Sequence, residues 1–125
     1  MKILGIDYGE KKIGLAISEG KLAEPLGVFS IKYLVLSIKR ICQKEKIEKI
    51  VIGISEGKMA EKTRNFAKEL KQITGLSVEF WNETLTTQQA VKKMIEAGKA
   101  KRRRKLDEHA IAAALILQDY LDNPH

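Results

Sequence analysis

The sequence predicts an α/β fold: a mixed five-stranded sheet, three antiparallel strands followed by parallel ones, with helices on both faces. Two observations lead there. The first thirty residues hold apolar segments separated only by short, turn-forming stretches. From Leu34 onward, helical spacing alternates with short β-branched runs, the pattern of parallel strands joined by right-handed crossovers. At 125 residues the chain, 1–125, is expected to form one domain around one sizeable core.

Residues 2–7 and 12–18 read as two strands joined by the turn Gly9-Glu10-Lys11, an antiparallel hairpin. A third strand is expected around Leu26-Gly27-Val28-Phe29-Ser30, with Pro25 placing its start near a sheet edge. Leu34, Ile38, Ile41, Cys42 and Glu45 then recur at helical spacing. Ile50-Val51-Ile52, ending at Gly53, is short and continuously apolar, as suits a buried parallel strand. Residues 59–74 are helical, with Thr63, Phe66, Ala67, Leu70 and Ile73 on one face and Gly75 as the stop. Val78-Glu79-Phe80-Trp81 is the fifth strand. Thr86 and Gln89 form a capping-box pattern for a helix whose face is Ala90, Val91, Met94 and Ile95 and which ends at Gly98. Asp107 opens the last helix, which runs through Leu121 until Asn123-Pro124.

A hydrophobic fraction of 44% and a charged fraction of 31% are those of a soluble globular protein. No apolar run reaches the roughly 18 residues needed to span a bilayer, and Met1-Lys2-Ile3 leads into a strand without a signal-peptide pattern, so a cytoplasmic protein with no membrane partner is expected. The single Cys42 lies among isoleucines and reads as a reduced core thiol; His109 and His125 form no zinc pattern. The 23 Lys and Arg against 16 Asp and Glu leave a net charge of +7, which favours polyanionic partners. Much of that charge is concentrated. Lys99, Lys101, Arg102, Arg103, Arg104 and Lys105 form a near-continuous run between two helical patterns, either a solvated linker or a handle for a nucleic-acid backbone.

Asp7 closes the apolar run Ile3-Leu4-Gly5-Ile6 and precedes Tyr8-Gly9. A buried carboxylate costs several kcal/mol unless it is paired or binds a metal. Asp7 is therefore either a turn-starting residue or a site residue. In the expected sheet the first strand is central, and ligands gather at the carboxyl ends of parallel strands, where Asp7 stands. Residues 3, 5 and 7 share a face, so Gly5 is expected to leave space beside Asp7 for a phosphate or metal. Glu83, just past the fifth strand, reads alone as a loop acid near a helix N-terminus. Asp107 reads as a helix cap, but counting from it reaches Ala110, Ile111, Ala114, Gln118 and Leu121, which sets it on the sheet-packing face and leaves Glu108, His109 and Asp119 off it. Alanines 110 and 112–114 let this helix approach the sheet closely. Asp7, Glu83 and Asp107 are thus expected to converge, and their mutual repulsion calls for cations. With oxygen ligands these are Mg²⁺ or Mn²⁺, and a pair of them suits in-line displacement at a phosphodiester.

Gly5-Ile6-Asp7-Tyr8-Gly9 with Lys11 to Ala16, then Glu83 with Leu85-Thr86-Thr87, then Lys101 to Lys105 with Leu106-Asp107 and Ala112 to Gln118, resemble the YqgF/RuvX family nearly end to end. The resemblance implies a ribonuclease H-like fold related to the RuvC Holliday junction resolvases. It also implies a metal-dependent nuclease, long associated with branched DNA and now with processing the 5′ end of pre-16S rRNA. Its catalytic, metal-binding carboxylates fall on Asp7, Glu83 and Asp107; the charge pattern adds Lys12 and residues 99–105 as the groups expected to hold the nucleic-acid backbone. The chain departs from the family at Asn82-Glu83-Thr84, where Asp-Glu-Arg is usual, and at Gly53-Ile54-Ser55, where Gly-Leu-Pro is usual. The lost arginine bears on phosphate grip more than on metal binding.

Other readings are weaker. Gly53 to Lys58 has one residue too few between its glycines for a Walker A loop, and Met59 stands where Ser or Thr is required. The opening motif resembles the phosphate loop of actin-like sugar kinases, which need two lobes. A nucleic-acid-binding module without turnover is the stronger competitor, but clustered carboxylates bring nothing to a pure phosphate binder. Trp81 and Tyr8 are candidates for stacking on bases, with a core role the commoner fate of a strand-ending Trp.

Overall fold

The computed structural model describes residues 1–30, 34–54, 57–82 and 108–123. Its elements are β1 (Lys2–Tyr8), β2 (Lys12–Glu19), β3 (Ala23–Ser30), α1 (Leu34–Glu45), β4 (Lys49–Ile54), α2 (Lys58–Thr74), β5 (Ser77–Asn82) and α3 (Glu108–Asp122). The helix expected from Thr86 and the basic run 99–105 lie outside the described residues.

The five strands form one sheet in the order β3-β2-β1-β4-β5. β1 pairs antiparallel with β2 and parallel with β4, β2 pairs antiparallel with β3, and β4 pairs parallel with β5. The expected mixed sheet is present with β1 at its centre. The hairpin closes where the Gly9 N–H donates to the Lys12 carbonyl at 3.1 Å. β3 begins three residues earlier than the sequence suggests, at Ala23, and carries Pro25 inside it. An edge strand tolerates a proline, and a register shift between Leu15 and Ala16 lies opposite Pro25.

Alternation along the strands divides the core in two. Leu4 and Ile6 of β1, Ile13 and Leu15 of β2, and Ile50 and Ile52 of β4 pack under Ile38 and Cys42 of α1 and Phe66, Ala67 and Leu70 of α2. Ile3, Ala16 and Val51 face the other way, against Ala113, Ala114, Ile116, Leu117 and Tyr120 of α3. Helices thus cover both faces. In α2 the buried stripe stops at Leu70, and Ile73, expected inside, is partly exposed near the helix end. The buried Thr63 hydroxyl donates to the Met59 carbonyl at 2.7 Å, so it carries no unpaired polar group into the core. Gly75 ends α2 at φ 71°, a left-handed cap whose N–H bonds the Lys71 carbonyl at 2.9 Å.

Candidate active site

Asp7 stands at the carboxyl end of central β1, in register with Gly14 of β2 and Gly53 of β4. Two glycine neighbours leave its carboxylate no flanking side chain on either strand. The side chain is 16% exposed and lies on the α3 face of the sheet. The space at Gly5 is not a ligand site. A Cβ there would lie 2.8 Å from Leu117 Cβ and 3.1 Å from the Ala113 carbonyl, so this glycine exists to let α3 pack on β1.

Among the described residues Asp7 meets His109, whose Nδ1 lies 3.2 Å from Asp7 Oδ2. The imidazole is 41% exposed, so the pair is open to solvent on one side. The helix face counted from Asp107 is buried at Ala110, Ile111 and Ala114 as expected, but it left out His109, which the structure sets against Asp7. The inward row of α3 is His109, Ala113, Leu117, spaced by four residues. Steps of about 6 Å along a helix match steps of about 6.6 Å between alternate residues of a strand. Ala113 and Leu117 therefore meet Gly5 while His109 meets Asp7.

A glycine also makes this approach possible on β2, where a Cβ at Gly14 would overlap the His109 carbonyl. Gly9 serves its own turn instead: a Cβ there would lie 2.6 Å from the Lys12 carbonyl and only in ordinary contact with His109. A glycine at position 14, across the hairpin from the strand-end acid, is the sequence signal for a helix start seated there.

Of the other expected site residues, Glu83, Asp107, Lys99 and 101–105 lie outside the described residues. Lys12 is exposed at the start of β2, beside the hairpin turn. β5 ends at Asn82, one residue beyond the register of Asp7 and two strands away, about 10 Å at usual strand spacing. The two aromatics considered for base stacking are used internally. Tyr8 stacks on Phe66 with centroids 4.7 Å apart, and burial, then the Glu69 charge, pushes its phenol up. Trp81 donates Nε1–H to Asp119 Oδ2 at 2.6 Å and meets Tyr120 edge-on at 5.5 Å.

The donor chemistry of Asp7 and His109 fits a divalent ion. Two ligands on an octahedral ion with bonds of about 2.1 Å stand about 3 Å apart, close to the 3.2 Å seen. Among the described residues no third Asp, Glu, Cys or His joins them. A separate groove of about 220 Å³, lined by Lys39, Cys42, Ile73 and Leu76 among others, lies at the opposite end of the sheet, where the α1 and α2 C-termini meet. Burial pushes the Cys42 thiol up to about 11, which leaves it protonated and unreactive there at neutral pH.

Comparison with known proteins follows the same line. A family model described as RuvX, Holliday junction resolvase, matches residues 1–123. Relatives named "Putative pre-16S rRNA nuclease" from Agathobacter rectalis and Carboxydothermus hydrogenoformans are 37% and 38% identical, with 98% of this chain covered and 95% and 96% of theirs. T. thermophilus RuvC in complex with a Holliday junction substrate matches at a TM-score of 0.70 and 14% identity, over 98% of this chain and 94% of that one. The fowlpox virus Holliday junction resolvase matches at 0.64 and 17% identity, over 98% of each chain. At such identities the likeness carries the fold, which is ribonuclease H-like.

Proposed function

The chain belongs to the RuvX family, and on that footing we propose that it is a divalent-metal-dependent nuclease that processes the 5′ end of pre-16S rRNA in the cytoplasm, using residues 1–125 as one catalytic domain. The observation that carries the reading is the mostly enclosed Asp7 carboxylate at the carboxyl end of the central strand, in a chain matched end to end by relatives named for that activity. Asp7, Glu83 and Asp107 are the carboxylates we assign to hold two Mg²⁺ or Mn²⁺ ions. The described parts of β5 and α3 support this, since they reach Asn82 and Glu108, each one residue from an assigned carboxylate. Bound there, such ions supply Lewis acidity toward the phosphodiester and a more acidic water.

The protein's own contribution is position and charge. Asp7 is anchored on a strand paired on both sides, so its carboxylate moves little when substrate arrives. Lys12 and the basic residues Lys99, Lys101, Arg102, Arg103, Arg104 and Lys105 neutralise the backbone flanking the scissile bond. Hydrolysis adds water across one P–O bond and leaves a phosphomonoester and a hydroxyl. Thr84 replaces the family's arginine, which removes one fixed donor for transition-state charge and leaves more of that task to the basic run.

The test is cleavage of an end-labelled pre-16S rRNA leader fragment, an unstructured RNA and a four-way DNA junction, with Mg²⁺ or Mn²⁺ and with chelator. Metal-dependent cleavage of the leader, lost in Asp7→Asn, is the expected result. Selective cutting of the junction would move the substrate to branched DNA, the reading that the family description favours. Cleavage that survives Asp7→Asn would overturn the assignment of the site.

A further inference from the structure

His109 has no part in a site made of three carboxylates, yet among the described residues it is the side chain bonded to Asp7. We propose that His109 is a metal ligand that shares a divalent ion with Asp7, so that this site is a mixed nitrogen–oxygen centre selective for Mn²⁺ over Mg²⁺. The ion itself rests on the nuclease reading; the ligand and the selectivity are added by the geometry.

The placement is built into the fold. The α3 row His109, Ala113, Leu117 lies along β1, and Gly5 and Gly14 clear its path. Any side chain at Gly14 would lift the first turn of α3 off β2 and carry the imidazole away from Asp7. The 3.2 Å between Nδ1 and Oδ2 suits two donors on adjacent positions of one ion. Exposure is asymmetric in a useful way. Asp7 is mostly enclosed while His109 borders solvent, so an ion between them keeps open positions for water and a substrate phosphate. In the absence of metal the same distance is spanned by a hydrogen bond between the two side chains. Selectivity follows from ligand hardness. Mg²⁺ is held through oxygen and gives up water reluctantly, whereas imidazole suits transition ions.

The competing reading is an ion pair that only seats the helix. Mn²⁺ titration of the full chain, followed by electron paramagnetic resonance with pulsed detection of nitrogen coupling, separates the two. Wild type is expected to bind Mn²⁺ with the coupling of a directly bound imidazole nitrogen. His109→Ala, shown folded by circular dichroism, is expected to lose that coupling and to weaken Mn²⁺ binding about 10- to 100-fold, with a smaller change for Mg²⁺ measured by competition. His109→Asp is expected to restore binding and shift preference toward Mg²⁺. His125 remains in every variant, so coupling that survives His109→Ala counts against the proposal. Mn²⁺ bound in an Asp7-dependent way without nitrogen coupling would overturn the ligand assignment and leave the nuclease reading standing. Absence of Mn²⁺ binding by wild type would overturn both.

Discussion

Asp7 and His109 meet because a helix row and a strand face advance by nearly the same distance, and because glycines remove the side chains between them. Both conditions are open to single-residue tests. Asp7→Asn keeps the shape of the side chain and removes its charge, so it is expected to lower metal-dependent cleavage by at least about 100-fold, beyond what loss of an outer partner does. Its thermal unfolding should stay close to wild type; a collapse of the fold would instead mark Asp7 as structural. Gly14→Ala places a methyl group into the His109 backbone. Overpacking of that kind costs about 1–3 kcal/mol, and the urea midpoint should fall accordingly. An unchanged midpoint would mean that the start of α3 is loosely seated and that the Asp7–His109 contact is not enforced.

At the level of elements, α3 is the lid of one face of the sheet, and its attachment sets the site. Leu117 lies on Gly5, and Tyr120 packs with Trp81. Lys49 sits over the Tyr120 ring at 5.3 Å while bonding Glu79 at 2.8 Å, joining β4, β5 and α3. The Gln118 amide accepts from the Ala23 N–H and donates to the Lys21 carbonyl, both at 2.9 Å, which holds the start of edge strand β3. This side-chain bond explains why β3 begins before the proline that seemed to mark its start. Leu117→Ala is expected to cost about 2–5 kcal/mol in chemical denaturation, as for other fully buried leucines. On the opposite face, Gly75→Ala forces a β-carbon into a left-handed cap and is expected to cost about 1 kcal/mol without touching activity.

Across the whole molecule, charge and burial set the response to salt and pH. A net charge of +7 with a concentrated run at 101–105 predicts RNA binding that weakens steeply with salt. Replacing Arg102, Arg103 and Arg104 with Gln should weaken single-stranded RNA binding and make the log–log salt slope shallower by about 2. An unchanged slope would mean that these arginines touch no phosphate. The Cys42 thiol is raised by burial to about 11, above its unfolded value near 9. Its contribution to stability is therefore complete below about pH 9 and lost as pH rises from there through 11. The difference in unfolding free energy between wild type and Cys42→Ala should be flat from pH 7 to about 8.5 and shrink above pH 9.

Sequence alone determined the succession of strands and helices along the chain, the central place of β1 and the position of Asp7 at its end. Those features rest on turn chemistry and on periods of two and 3.6 residues, which are local. It also placed Cys42 in the core, because a lone cysteine among isoleucines has little else to do. It placed Ala110, Ile111 and Ala114 of α3 inside as well; only the tertiary structure decided that the sheet-facing side extends to His109 and sets it against Asp7. A helix opening on an acid and rich in alanine is compatible with more than one phase. The phase is settled by Gly5 and Gly14, about 100 residues earlier in the chain. The same holds for Tyr8 and Trp81: the sequence allowed base stacking beside the core role it favoured for Trp81, and Phe66, Tyr120 and Asp119 are the internal partners that only the tertiary structure names. Contacts between distant segments depend on which faces are brought together, and no local period encodes that choice.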